Sequence, residues 1–231
     1  MEVRVQAVDV ERQATRSVTA MPGVRASRRW WRDGLKAAVE RPVALILLAA
    51  LSPVLIAIAA AIAVTTGRPV VYRRRVIGYG GVEFDALKFR TMVVGAESVL
   101  ERDENLRKAF AVNWKLFDDP RVTRTGRVLR KYSLDELPQL INVLRGEMSL
   151  IGPRMISPPE LSRYEGLGLG PKLVSVKPGL TGLWQVSGRQ RVSYERRVEL
   201  DMHYIDNCSL SMDLSILLRT LPVVLKAEGA F

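Results

Sequence analysis

Hydrophobic and polar positions divide this chain into three regimes. From Val43 to Val64 (VALILLAALSPVLIAIAAAIAV) there is no charge, and a run of that length can cross a bilayer as one helix. Alternation follows. Val70-Val71-Tyr72 and Val82 to Phe89 read as strands joined across Gly78-Tyr79-Gly80-Gly81, after a turn at Gly67-Arg68-Pro69. Helical periods then take over: a charged stretch from Ala96 to Val112, then Ser133 to Leu144, Arg191 to Asn207, and an apolar stretch from Leu210 to Leu225 opened by Ser209 and interrupted by Pro222. The last suits either a bilayer surface or the core. Lys177 to Gly182 reads as a loop. Arg28 to Arg41 reads as a short basic amphipathic helix leading into the apolar run, and residues 1–25, without periodicity, as a disordered tail.

The apolar run carries its own exception. Ser52-Pro53 sits in its middle, where proline removes a backbone hydrogen bond and kinks or breaks a helix. Both flanks are basic: Arg25, Arg28, Arg29, Arg32, Lys36 and Arg41 before, Arg68, Arg73, Arg74 and Arg75 after. Positive charge favours the cytoplasmic face, and here both ends claim it. A re-entrant hairpin that turns at Ser52-Pro53 satisfies both observations, with Ser52 bonding the carbonyl that proline frees and Trp30 and Trp31 as an interfacial anchor. The alternative is a single-pass helix with a tolerated proline kink. The run starts too late for a cleavable signal peptide.

Charge and composition narrow the chemistry. A formal net charge of +11 favours anionic partners. The single Cys208 excludes an internal disulfide, and with one histidine, His203, the usual zinc sites are excluded too. Any metal is expected to be a hard, oxygen-bound ion such as Mg²⁺. Cys208 reads as a small buried hydrophobe and His203 as a packing or capping residue. Gly78-x-Gly80-Gly81 is a turn rather than a dinucleotide fingerprint, since no helix opens behind it. The basic residues cluster around the apolar run and around one acidic pair, without a reading helix or an aromatic platform, so nucleic acid is not an expected partner.

That acidic pair is Asp135-Glu136. Ser133-x-x-Glu136 has capping-box spacing, whereas Pro138 prefers the first helical position; either Ser133 or Leu137 is the cap. Both readings leave the carboxylates at or just before the positive end of a helix, with Arg130, Lys131, Arg145 and Arg154 close in sequence. Guanidinium groups bind phosphate oxygens in pairs, and the same positive field is expected to keep Asp135 ionised, as a nucleophile or metal ligand must be. The plainer alternative is that the pair only complements the helix dipole. Trp184 suits stacking on a base or a place in the core, and Ser187-Gly188-Arg189 suits a nucleotide phosphate.

Three blocks in order add to this: Lys88-Phe89-Arg90-Thr91-Met92, the run from Ser133 to Arg154 (SLDELPQLINVLRGEMSLIGPR), and Lys177 to Arg189 (KPGLTGLWQVSGR). Through them the chain, from Pro42 to Phe231, resembles the bacterial sugar transferases, the monotopic polyprenyl-phosphate phosphoglycosyl transferases. The resemblance implies a mostly helical α+β fold: a re-entrant helix-break-helix hairpin, broken at Ser52-Pro53, plus a small cytoplasmic catalytic domain with a short β-hairpin and surface amphipathic helices. The expected organisation is a tail over 1–25, the membrane element over 26–66 and the catalytic domain over 67–231. Asp135 and Glu136 match the catalytic pair, which would also hold Mg²⁺; Lys88, Arg130, Arg154, Asp201 and Arg189 are the implied phosphate and substrate contacts. The implied partners are a UDP-sugar, polyprenyl phosphate and anionic membrane lipid, at the cytoplasmic face of a bacterial inner membrane, with a homo-oligomer allowed. The implied reaction passes a phosphosugar to polyprenyl phosphate through an aspartyl intermediate, releasing UMP. The chain departs from the common pattern Gln-x-Arg-x-Gly at Arg74 and Val76, and from Pro-Arg-Pro at Met155. Those departures keep a second reading open, a catalytically silent scaffold of the same fold.

Overall fold

The computed structural model describes residues 30–113, 116 and 119–226, without the side chains of 30–34, 109, 111–113 and 190. The expected tail, the cations at 25, 28, 29 and 32 and the indole anchors at 30 and 31 lie outside what is described. In chain order the elements are α1 (Trp30–Thr66), β1 (Val71–Ile77), β2 (Glu83–Phe89), α2 (Ala96–Arg102), α3 (Glu104–Asn113), α4 (Arg124–Lys131), α5 (Gln139–Arg145), β3 (Ser149–Ile151), α6 (Pro158–Gly166), α7 (Gly170–Leu173), β4 (Gly179–Thr181), α8 (Leu183–Val186), α9 (Tyr194–Asn207) and α10 (Leu210–Leu225). The fold is mostly helical, as expected, with the anticipated antiparallel hairpin of β1 and β2. A second pair, parallel β3 and β4, replaces the loop expected at 177–182.

The basic helix and the apolar run form one helix, α1, which stays helical through both Pro42 and Pro53. The expected helix-break-helix is not what the structure shows, and Ser52 supplies a reason. Proline at 53 leaves the carbonyl of Ala49 without its usual donor, and the Ser52 hydroxyl donates to that oxygen at 2.7 Å. The role foreseen for Ser52 is met; it carries the helix past the proline rather than ending it.

One stripe of α1 faces the domain: Glu40, Ala44, Leu48, Leu51, Leu55, Ile58, Ile62 and Thr66 are buried or half-buried at helical spacing. Ala44, with Leu48 and Leu51, joins the main core, and Ile58 and Ile62 pack with Phe89 and Leu129 in a second cluster. The other faces stay apolar and bare, with Ile46 67% and Ile56 69% exposed. Lys36, counted in sequence among the flanking cations, is used inward. Its ammonium donates to Ile151 O and Tyr204 Oη at 2.7 Å and to Asp213 Oδ2 at 2.8 Å. At the far end the Arg90 guanidinium donates to the carbonyls of Thr66 (2.8 Å) and Gly67 (2.6 Å), satisfying acceptors that a helix C-terminus leaves open. Both ends of α1 are therefore bonded to the same domain.

Elsewhere, the charged stretch divides into α2 and α3 around Asp103, whose carboxylate accepts from the amides of Asn105 and Leu106. Ser193 and Ser209 cap α9 and α10 through their hydroxyls. His203 is exposed and shares a contact with Asn207, and Cys208 is half-exposed rather than buried. Pairing of β3 with β4 depends on two facing glycines. A Cβ on Gly179 would stand 2.1 Å from Gly152 N and 2.4 Å from Thr181 O. We expect Gly179→Ala to lower unfolding free energy by about 3 kcal/mol, read by denaturant titration in detergent. A stability equal to the parent would mean that β3 and β4 are not packed this closely.

Candidate active site

The two carboxylates sit in a short 3₁₀ turn, Leu134–Glu136, between α4 and α5. Neither cap foreseen from sequence is made: α5 starts behind Pro138, and the Ser133 hydroxyl serves another partner. Ser133 adopts a left-handed backbone (φ 54°), and its Oγ accepts a hydrogen bond from Arg189 Nη2. Arg189 is itself left-handed (φ 53°). Two non-glycine residues held in this sparsely occupied region and tied together are the local strain that functional sites concentrate. The contact brings the Arg189 turn against the dyad.

β2 delivers Lys88, whose ammonium pairs with Glu136 Oε1. The position of β2 is fixed by Asn142, fully buried on α5. Its side-chain oxygen accepts from Leu87 N at 3.0 Å, and its nitrogen donates to Asp85 O at 2.8 Å and Glu147 Oε2 at 2.6 Å. Sequence reasoning missed Asn142; the signal was a polar residue at a core-facing place in Gln139-Leu140-Ile141-Asn142-Val143-Leu144.

α4 delivers Arg130, whose Nε donates to Thr91 Oγ1 at 2.9 Å. That helix lies hard against the Thr91 backbone because Gly126 has no side chain: a Cβ there would meet Thr91 O at 2.0 Å. The turn after β3 delivers Arg154, stacked with its Cζ 4.7 Å from the centre of the Trp184 ring. One face of Trp184 is thus occupied by a cation, and its ring is buried, so the core reading of this tryptophan holds. Lys131 lies instead over the Tyr132 ring, and Arg145 is exposed in the last turn of α5, at the opposite end of that helix from the dyad.

The environment separates the two acids. Burial pushes the Asp135 carboxyl above the usual range, and the neighbouring Glu136 adds to this, while Lys88 and Arg130 pull it down. The positive field does not outweigh burial, contrary to the sequence expectation. For Glu136 the balance reverses: against burial, the charge and hydrogen bond of Lys88, with Arg154 and Arg74, hold its carboxyl low. Adjacent carboxyls with divergent affinities for a proton suit different tasks. Glu136 stays the fixed anion, and Asp135, once ionised, is the more basic carboxylate of the two. The described residues contain no group of three or more metal-ligating side chains. Two hard carboxylates suit a Mg²⁺ ion that draws its remaining ligands from substrate phosphate and water.

Asp201 is placed otherwise than expected. It is fully buried, and its Oδ1 accepts from the backbone N of Arg154 at 3.1 Å. It holds the Arg154 turn from behind, and an anion in that position has no phosphate to meet. Its second oxygen has no hydrogen-bond partner among the described residues, and burial pushes its carboxyl up to about 7, against Arg154 and Arg197. The structure therefore assembles Asp135, Glu136, Lys88, Arg130, Arg154 and Arg189 around one turn. It keeps Asp201 behind them, and Ser52 and Pro53 in the apolar helix.

The family model described as bacterial sugar transferase matches residues 31–227. The exopolysaccharide production protein ExoY of Sinorhizobium fredii is 44% identical over 193 residues, which cover 82% of this chain and 84% of that protein. The UDP-galactose-lipid carrier transferase of Erwinia amylovora is 46% identical over 201 residues, 85% of this chain but 42% of that protein. The UDP-glucose:undecaprenyl-phosphate glucose-1-phosphate transferase of Escherichia coli is 38% identical over 192 residues, 80% of this chain and 39% of that protein. The chain thus spans about two fifths of the length of the last two.

The Asp201 environment makes a pH prediction. The folded state keeps this proton up to about pH 7, whereas the unfolded chain loses it near pH ~4. Between those values the native state binds more protons, so the stability Asp201 contributes in acid is lost as pH rises. Asp201→Asn cannot ionise. Its stability relative to the parent should improve from about pH 4 to about pH 7 by on the order of 4 kcal/mol, measured by denaturant titration across pH. A parallel pair of curves would contradict the assignment.

Proposed function

The chain belongs to the bacterial sugar transferase family, and on that premise we propose that it moves a sugar 1-phosphate from a UDP-sugar to polyprenyl phosphate. The ionised Asp135 attacks the sugar-bearing phosphorus of the donor. The bond from that phosphorus to the bridging oxygen breaks, UMP leaves with the electron pair, and an aspartyl phosphosugar remains. An oxygen of polyprenyl phosphate then attacks the same phosphorus and returns Asp135 as a carboxylate, leaving a polyprenyl-diphosphate sugar. Such a product begins the assembly of a surface polysaccharide.

One observation carries this reading: a buried carboxyl, Asp135, beside a second carboxylate pinned by Lys88, with Arg130, Arg154 and Arg189 converging on the same turn. Lys88 and Arg130 lower the cost of ionising Asp135. The guanidinium groups neutralise phosphate oxygens as charge shifts to the leaving UMP. Asp135 and Glu136 would hold Mg²⁺, which supplies further charge neutralisation at the phosphates when bound.

We infer the membrane arrangement on the same basis. Within Leu35–Thr66, α1 is long and apolar enough to cross a bilayer. Both of its ends are bonded to one domain, which is more easily reconciled with a helix embedded from the cytoplasmic face than with one that passes through. This monotopic arrangement would set the dyad at headgroup depth, where a lipid phosphate and a soluble nucleotide can meet.

Asp135→Asn should abolish UMP release from UDP-sugar, a loss of at least about 10³-fold, with membrane association unchanged. Release within about tenfold of the parent would remove Asp135 from the nucleophile's role.

A further inference from the structure

We propose that Arg74 is a further substrate-binding residue of this site, contacting a phosphate oxygen of the nucleotide diphosphate or of the lipid phosphate. The inference rests on the phosphosugar-transfer reading above. It starts from strand register. Arg74 stands opposite Ala86, and Tyr72 opposite Lys88, so Arg74 and Lys88 lie on the same sheet face as diagonal neighbours, roughly 7–8 Å apart at Cα. Towards its far end that face is core: Val76 and Ala86 are fully buried and Phe84 nearly so, while Tyr72 at the near end is exposed. The face leaves the core at Arg74 and Lys88, and Lys88 reaches the dyad. Alternation sends Arg75 to the opposite face, where it finds Asp85 at 3.3 Å and Glu83 at 3.9 Å.

Arg74 finds no such partner. It is half-buried, and none of the side-chain hydrogen bonds or ion pairs found among the described residues involves it. Glu136, the carboxylate that the charge of Arg74 acts on, is already paired with Lys88. The charge of Arg74 nonetheless reaches the site: it helps hold the Glu136 carboxyl low and opposes the charged form of Arg154. A partly desolvated guanidinium beside Lys88 and Arg154, without a counter-anion of its own, raises the energy of the empty site. An incoming phosphate reverses the sign of that contribution. Arginine is also the cation whose planar fork matches phosphate with two parallel hydrogen bonds. The departure noted at Arg74 and Val76 then has a physical sense: position 76 is fully buried in the core, and the cation stands one pleat nearer the dyad.

The test uses the full chain in lipid nanodiscs, as the parent, Arg74→Gln and Arg74→Lys. Michaelis constants are measured separately for UDP-sugar and for polyprenyl phosphate, with equilibrium binding of UDP and the melting temperature beside them. Arg74→Gln should raise at least one of the two constants by about tenfold to a hundredfold, Arg74→Lys should recover part of the loss, and melting should stay unchanged. A rise for UDP-sugar with weaker UDP binding assigns Arg74 to the donor diphosphate; a rise confined to polyprenyl phosphate assigns it to the acceptor. Both constants within about twofold of the parent, with UDP binding unaltered, would overturn the proposal. If the parent transfers no sugar phosphate while Arg74→Gln still weakens UDP binding, the reaction is wrong and the anion contact stands.

Discussion

The structure depends on the docking of an apolar helix along a soluble domain. Ala44, Ile58 and Ile62 are the buried apolar positions of that seam, and removing a large aliphatic side chain from water is worth about 1.5–3 kcal/mol. Polar fastenings close it at both ends. Lys36 joins α1 to β3, α9 and α10 at one end, and Arg90 gathers the last carbonyls of α1 at the other. Each fastening leads towards the site. Ile151, held by Lys36, is followed by Gly152, Pro153 and Arg154; Arg90 sits between Lys88 and Thr91, the residue that accepts from Arg130. The bare apolar faces of α1 and the cations around Asp135 and Glu136 are therefore parts of one packed body.

Within that body, the dyad is an arrangement of unequal carboxyls. Two adjacent acids in one field would compete for the same cations. Here Lys88 goes to Glu136, and Asp135 is left the more buried and the more basic of the two. Two of the surrounding guanidinium groups contact neutral or aromatic partners: Arg130 a threonine hydroxyl and Arg154 an indole face. Neither of these two contacts neutralises the cation.

Much of this was legible in the sequence because it is written in local patterns. Charge-free residues gave the long helix, alternation the β1–β2 hairpin, and the Asp135-Glu136 pair among cations the site. What escaped depends on tertiary context. The proline at 53 promised a break, and a single hydroxyl contact from Ser52 lets the helix pass it. Strands β3 and β4 are three residues each and pair only because Gly152 and Gly179 allow two backbones to touch; no periodicity announces them. Asp201 had the right residue type for a substrate contact, and only its complete burial shows that it serves the Arg154 backbone instead. The burial that raises Asp135 is equally invisible in a run of letters.

The central claim is that α1 and the catalytic residues form one unit on one side of a membrane. At about 1.5 Å per residue the charge-free run from Val43 to Val64 would measure about 33 Å, close to a hydrocarbon core of about 30 Å, so its length suits either arrangement and the position of its ends must decide. A helix that passed through would separate Lys36 from the domain that holds Arg90. Single cysteines at Leu35 and at Arg68, in a Cys208→Ser background, placed in sealed vesicles of known orientation and challenged with an impermeant maleimide, decide the matter. The account predicts that both positions react from the cytoplasmic side only; labelling of position 35 from the opposite side would contradict it.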